Sequence, residues 1–153
     1  MTVKELQTSD VKTVSPDTDL AVVARLMWEG DCGAVPVVTE DRKVIGMITD
    51  RDICIAAATR AKPPAEIRAG DVITNHGVHA VKPDDDVRVA MRTMRKHKVR
   101  RLPVVDREQR LAGIVSINDL AIAASPSQPD SVPAQEFLET FQAICAHEKH
   151  AAA

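Results

Sequence analysis

The sequence predicts an α/β (α+β) chain built from two β-α-β-β-α units packed about a pseudo-twofold axis. Three observations carry that expectation. Shifting the sequence by 67 positions aligns 11–57 with 78–124 without a gap and with 16 identities in 47 positions, among them Val14/Val81, Pro16/Pro83, Met27/Met94, Gly46/Gly113 and Asp52/Asp119. Each copy holds one stretch of helical period followed by two short apolar runs. Finally, GMITDRD at 46–52 returns as GIVSIND at 113–119, so a small hydroxyl is twice followed by an acid three residues on.

Each unit opens on a short strand, 11–14 or 78–81, ended by Pro16 or Pro83. An amphipathic helix follows, with Leu20, Val23, Ala24 and Met27 at helical spacing and Val87, Ala90, Met91 and Met94 as their echo. Asp17/Thr18 and Asp84/Asp85 are its N-cap candidates. Two strands come next, AVPVVT (34–39) and VIGMIT (44–49) in the first copy, RLPVVD (101–106) and LAGIVS (111–116) in the second. The polar links EDRK and REQR are so short that each pair must run antiparallel. The hydroxyl then opens a closing helix, 50–59 or 117–125.

A three-stranded sheet with both helices on one side leaves its other face bare, so the two copies are expected to pack on each other and form two equivalent clefts near the repeated acid. The expected organisation is a first unit at 1–59, a connecting segment at 60–70, a second unit at 71–125, and a linker with a C-terminal amphipathic helix at 126–153. That last helix carries Phe137, Leu138, Phe141, Ile144 and Cys145 as one apolar stripe, expected to dock on its own module or on a dimer partner.

Composition narrows the function. A net charge of −2 and three aromatic residues, Trp28, Phe137 and Phe141, argue against nucleic-acid binding by the whole chain. No apolar run reaches the roughly 20 residues of a membrane span, and the N-terminus has charges where a signal peptide has its apolar core, so a cytoplasmic protein is expected. Cys32, Cys54 and Cys145 lack CxxC spacing and are expected to be reduced and packed, Cys54 on a buried helix face. His147 and His150 lie one turn apart without a third ligand, so no metal site is expected. With no nucleophile–base pair, P-loop or GxGxxG, the chain is not expected to be an enzyme.

The Thr/Ser-x-x-Asp repeat has two readings. It is a capping box, which satisfies the first N–H groups of a helix. It also sets an acid beside a helix N-terminus, itself a ready anion site, and that acid's two oxygens can accept from neighbouring sugar hydroxyls.

Taken together, TVSPDTDL, GAVPVV and VIGMITDRDI, with their echoes AVKPDDDV, RRLPVVD and LAGIVSINDL, resemble a tandem pair of CBS (cystathionine β-synthase) domains, a Bateman module, over residues 1 to 125. The resemblance implies a regulatory module that binds AMP, ADP, ATP or a related adenosyl ligand such as S-adenosylmethionine, and that associates as a homodimer. It implies one site from Thr49 and Asp52, with Thr13, Val14, Ala34, Val35 and Pro36 as walls of the base pocket. The other comes from Ser116 and Asp119, with Ala80, Val81, Arg101, Leu102 and Pro103. In each, the acid meets the ribose and the hydroxyl the phosphate region.

The copies differ in charge. Residues 88–110 hold nine Lys or Arg and two acids, whereas 21–43 hold three and four. Three readings of the basic segment stand: a solvated helix face, a phosphate-facing wall at Arg100 and Arg101, and a nucleic-acid patch over 88–101. The first site has Gly33 and Ala34 where the second has Arg100 and Arg101, leaving Arg51 as its nearest candidate cation. With no effector domain in these residues, output is expected in trans through a partner protein. The rival reading is a ligand-free protein–protein or oligomerisation scaffold.

Overall fold

The computed structural model describes residues 1–73, 77–124 and 131–146. From the first helix of each unit onward, the expected order of elements is present. The first repeat holds α1 (Leu20–Glu29), β1 (Ala34–Val38), β2 (Val44–Thr49) and α2 (Asp50–Arg60). The second holds α3 (Val87–His97), β3 (Arg101–Val105), β4 (Leu111–Ser116) and α4 (Ile117–Ala123), and α5 (Ala134–Cys145) follows. Strand β1 pairs antiparallel with β2, from Ala34 opposite Thr49 to Val38 opposite Val44, with an irregularity between Val37 and Val38. Strands β3 and β4 form the second two-stranded sheet.

The expected opening strands are reduced to single parallel bridges, Val14 with Val37 and Val81 with Val104. The cause is proline on both sides of each bridge. The Val14 N–H donates to the Pro36 carbonyl at 3.1 Å, and the Val38 N–H to the Val14 carbonyl at 2.9 Å. The next rungs of a parallel ladder would need N–H groups from residues 16 and 36, both proline. Pro83 and Pro103 cut the second copy in the same way, leaving the bond from Val81 N–H to the Pro103 carbonyl at 3.1 Å.

Helices α1 and α3 begin later than expected. Residues 15–18 and 82–85 close turns, Thr18 N–H to the Ser15 carbonyl and Asp85 N–H to the Lys82 carbonyl, both at 3.1 Å. The caps are therefore Asp19, which accepts from the Val22 N–H at 3.0 Å, and Asp86, which accepts from the Arg88 N–H at 2.9 Å.

The chain divides into two compact units, but not at the boundary between repeats. The unit of the first repeat is Ser9–Val78 with Val105–Gly113; that of the second is Met1–Thr8, His79–Val104 and Ile114–Ala153. The segment at 60–70, expected to be a connection, is built into the first unit: Ile67 and Ala69 are buried with Leu20 and Val23. The first residues, expected with the first unit, belong to the second: Val3 is buried with Val81, Val87 and Met94. The two lead-ins are docked alike. Leu20 and Val87 donate to the carbonyls of Ile67 and Met1, and Ala69 and Val3 to those of Thr18 and Asp85, all within 2.8–3.1 Å. Each repeat is thus completed by the segment that precedes the other.

Helix α5 lies on α3 in its own unit. Its packed face is Phe137, Thr140 and Ile144, with Val132 just before it, whereas Leu138, Phe141 and Cys145 are exposed, so the expected stripe is divided between core and solvent. Cys32 and Cys54 are exposed as well, against the expectation of packed thiols, because the buried face of α2 runs through Ile53 and Ala56.

Gly46 has a packing reason to be glycine: a Cβ there would lie 2.6 Å from Ile73 Cγ2. Gly46→Ala is expected to cost about 1–3 kcal/mol in urea denaturation. Val3→Ala, close to a chain end where substitution is ordinarily harmless, is expected to cost about 1–3 kcal/mol because Val3 is core.

Candidate functional site

The repeated motif sits where a strand becomes a helix. Thr49 ends β2 with extended backbone and caps α2. Its hydroxyl oxygen accepts from the Asp52 N–H at 3.1 Å, and Asp52 Oδ2 accepts from the Thr49 N–H and hydroxyl, each at 2.8 Å. Ser116 does the same at β4–α4: 3.3 Å from the Asp119 N–H, with Asp119 Oδ2 2.7 Å from both the Ser116 N–H and its hydroxyl. Both capping boxes are therefore closed, and in each a single carboxylate oxygen closes them. The Oδ1 atoms of Asp52 and Asp119 have no hydrogen-bond partner among the described residues. Both acids are half-buried.

Main-chain bonds gather the other candidates around each junction. The first N–H of α2, on Asp50, donates to the Gly33 carbonyl at 3.2 Å, and Ala34 lies directly across the ladder from Thr49. Pro36 holds Val14, and Thr13 is adjacent. In the second unit the first N–H of α4, on Ile117, donates to the Arg100 carbonyl at 2.8 Å, and Pro103 holds Val81, beside Ala80. Strand alternation separates the expected walls. Val14, Val35, Val81 and Leu102 are buried and their side chains belong to the cores, so only their backbones are available to a ligand; Ala34, Pro36 and Pro103 are buried as well.

The two units differ in cations here. Arg100 is exposed and Arg101 half-exposed, and neither has a carboxylate partner among the described residues, while Gly33 and Ala34 stand in their places in the first unit. Further along the basic segment the charge is answered from α5. Arg88 Nε lies 3.0 and 2.9 Å from the two Glu136 carboxylate oxygens, and Arg95 lies 3.9 Å from Glu139. Glu136 holds the Arg88 guanidinium above its usual range, first through the hydrogen bond and then through its charge. Lys98 donates to the Ala146 carbonyl at 3.0 Å, just past the end of α5. Much of the basic stripe is thus the seat of the C-terminal helix.

One contact had no signal in the sequence: the imidazoles of His79 and His97 stack with centroids 3.4 Å apart. Among the described residues no group of three His, Cys, Asp or Glu could hold a metal ion, and His147 and His150 lie outside those residues. No helix among them is long and apolar enough to cross a membrane.

Comparison with known proteins identifies the architecture. The CBS domain family matches twice, at residues 3–58 and 69–125, and the chain belongs to that family. It is 35% identical over 124 residues to the CBS domain-containing protein YhcV of Bacillus subtilis, covering 78% of this chain and 83% of that one. It is 30% identical over 144 residues to hypoxic response protein 1 of Mycobacterium tuberculosis, covering 94% of each. The CBS domain pair of protein MJ0100, solved with 5′-methylthioadenosine and S-adenosyl-L-methionine, is similar in structure with a TM-score of 0.72 and 25% identity, over 80% of this chain and 94% of that one.

Thr49→Ala and Ser116→Ala are each expected to lower stability by about 1 kcal/mol, the usual loss of an N-cap, in thermal or urea denaturation.

Proposed function

We propose that this CBS domain pair is a regulatory sensor for an adenosyl ligand, which it binds at Thr49/Asp52 and Ser116/Asp119, and that it signals in trans to a partner protein. The observation that carries the reading is the uncommitted Oδ1 of each capping acid. A carboxylate whose other oxygen is fixed by its own helix start is held in one orientation, and so presents an acceptor suited to the hydroxyls of a ribose. The strands that lead into each junction offer backbone groups and the small apolar residues Ala34 and Pro36 or Pro103, buried in the unliganded chain, and such groups suit a purine without stacking aromatics. The adenosyl ligands of the MJ0100 pair support the same class of ligand. No catalytic set accompanies these groups, and we assign the chain a binding role rather than an enzymatic one, in the cytoplasm.

The finer assignment follows charge. Arg100 and Arg101 suit the second site to AMP, ADP or ATP. The first, with Gly33 and Ala34, suits a ligand with less negative charge, such as adenosine or S-adenosylmethionine. The reading also includes a homodimer. Ile55 and Ile122 occupy the same position in the two repeats and are both exposed, Ile122 at 86%, as is Trp28 at 88%, and a second copy would cover such surface.

Calorimetric titration with AMP, ADP, ATP and S-adenosylmethionine tests the reading. Saturable binding is expected, and Asp119→Ala is expected to weaken AMP by about tenfold or more, further than Asp52→Ala does. Thermal denaturation of the unliganded Asp52→Ala and Asp119→Ala variants is the control for loss of the cap. Equal losses from the two aspartate variants would overturn the ranking. No heat from any of the four ligands would leave both motifs as helix caps, and the chain as a scaffold.

A further inference from the structure

We propose that His79 and His97 form a pH-sensitive clasp on the second adenosyl site, closed when the pair carries at most one proton and opened by the second. The inference rests on the sensor reading for what the clasp regulates, but not for the clasp itself.

The rings are stacked nearly parallel, 15° apart, with centroids 3.4 Å apart. At that separation two imidazolium cations repel at van der Waals contact, with no water between them. The charges that act on His79 come from the end of α3, namely His97 itself and Lys96; no carboxylate among the described residues acts on it. The neighbouring Lys98 is turned to the Ala146 carbonyl of α5. Burial first, and then His97 and Lys96, hold the His79 imidazole below its ordinary value. Protonation is therefore opposed by the folded arrangement. The clasp's contribution is complete above the ordinary histidine range and is lost as pH falls from there through the lowered value.

Position makes this contact consequential. His79 directly precedes Ala80 and Val81, which the family resemblance assigns to the second site, Val81 through its backbone. His97 is the last residue of α3, three positions before Arg100, whose carbonyl holds the first turn of α4. The stack therefore ties together the two stretches of chain that lead into one site. The first repeat has the same meeting point without the switch: its equivalents are Lys12 and Gly30, and the Lys12 Cδ lies 3.7 Å from where a Cβ on Gly30 would stand. The pH response belongs to one site of the two.

The test uses the full chain. Imidazole proton resonances are followed from pH 8 to 5 in the wild type and in His97→Gln, and hydrogen exchange at the Val81 amide is followed in the wild type and His79→Gln. The His79 resonance is expected to titrate below the ordinary histidine value and to move back toward it in His97→Gln. Protection of Val81, whose N–H is held by Pro103, is expected to fall between pH 7.5 and 5.5 beyond the intrinsic change, by up to about tenfold for each pKa unit of depression. His79→Gln is expected to abolish that fall. Two imidazoles titrating independently at ordinary values, or equal Val81 behaviour in the variant, would overturn the clasp. A third arm measures AMP affinity at the two pH values. Because phosphate itself changes charge there, with a second pKa of about 6, the wild type is compared with His79→Gln. A loss about fivefold greater in the wild type is expected, and equal losses would overturn the link to the site. Absence of AMP binding at every pH with the clasp signals intact would instead sink the nucleotide reading.

Discussion

The carboxylate that closes each strand–helix junction is the interaction on which the rest of the molecule turns. Asp52 and Asp119 satisfy main-chain N–H groups at the start of α2 and α4 and so fix where each helix begins. The same helix starts donate back to Gly33 and Arg100, at or beside the first residues of β1 and β3. One acid therefore orients a helix, the end of the strand before it and the start of the neighbouring strand. Its second oxygen costs the fold nothing, because the cap is complete without it. On the proposed reading, cap and binding group are two uses of one residue, and a site built this way would be preorganised before any ligand arrives.

The repeat, the order of elements and the location of both junctions were legible in the sequence, because each depends on spacing within one copy. The failures fall where two stretches distant in sequence must agree. Pro16 and Pro83 were readable as strand ends. That Pro36 and Pro103 cut the same ladders from the other side depends on which carbonyl faces which N–H, and only the pairing shows it. Likewise the chain from 60 to 70 looks like a connection from its prolines and charges, yet Ile67 and Ala69 are core. The mirror of that arrangement at Val3 lies 66 positions upstream of Ala69 and outside the aligned repeat, so no self-comparison of 11–57 with 78–124 could expose it. Periodicity also separates residues that adjacency in sequence groups together. Ala34, Val35 and Pro36 are neighbours in the chain, but Val35 points to the core, as Leu102 does between Arg101 and Pro103.

Charge was the least legible property because its partners lie far away in sequence. The arginines of α3 form a conspicuous stripe when only 88–110 is considered. Against α5, Arg88 and Arg95 become structural, and what is left over, Arg92, Lys96, Arg100, Arg101 and Arg107, is a smaller set. The C-terminal helix thus takes away much of the case for a broad polyanion surface, while leaving the two arginines beside the second junction without carboxylate partners.

On the proposed sensor reading, the asymmetry between the copies is what would allow the module to report. A ligand shifts an equilibrium only through unequal affinity for its states, and two identical sites would sense a single variable. Here the acid and cap are duplicated, while their surroundings differ. One junction adjoins Gly33 and Ala34, and the other adjoins Arg100 and Arg101, with His97 of the stacked imidazole pair three residues before Arg100. Such divergence is compatible with the fold because Gly33 and Arg100 hold the helix starts through their main-chain carbonyls, which any side chain leaves in place; on the proposed reading the differing side chains would set ligand charge and pH response. On the sensor reading proposed above, duplication followed by change at those positions would turn one binding device into two with different thresholds.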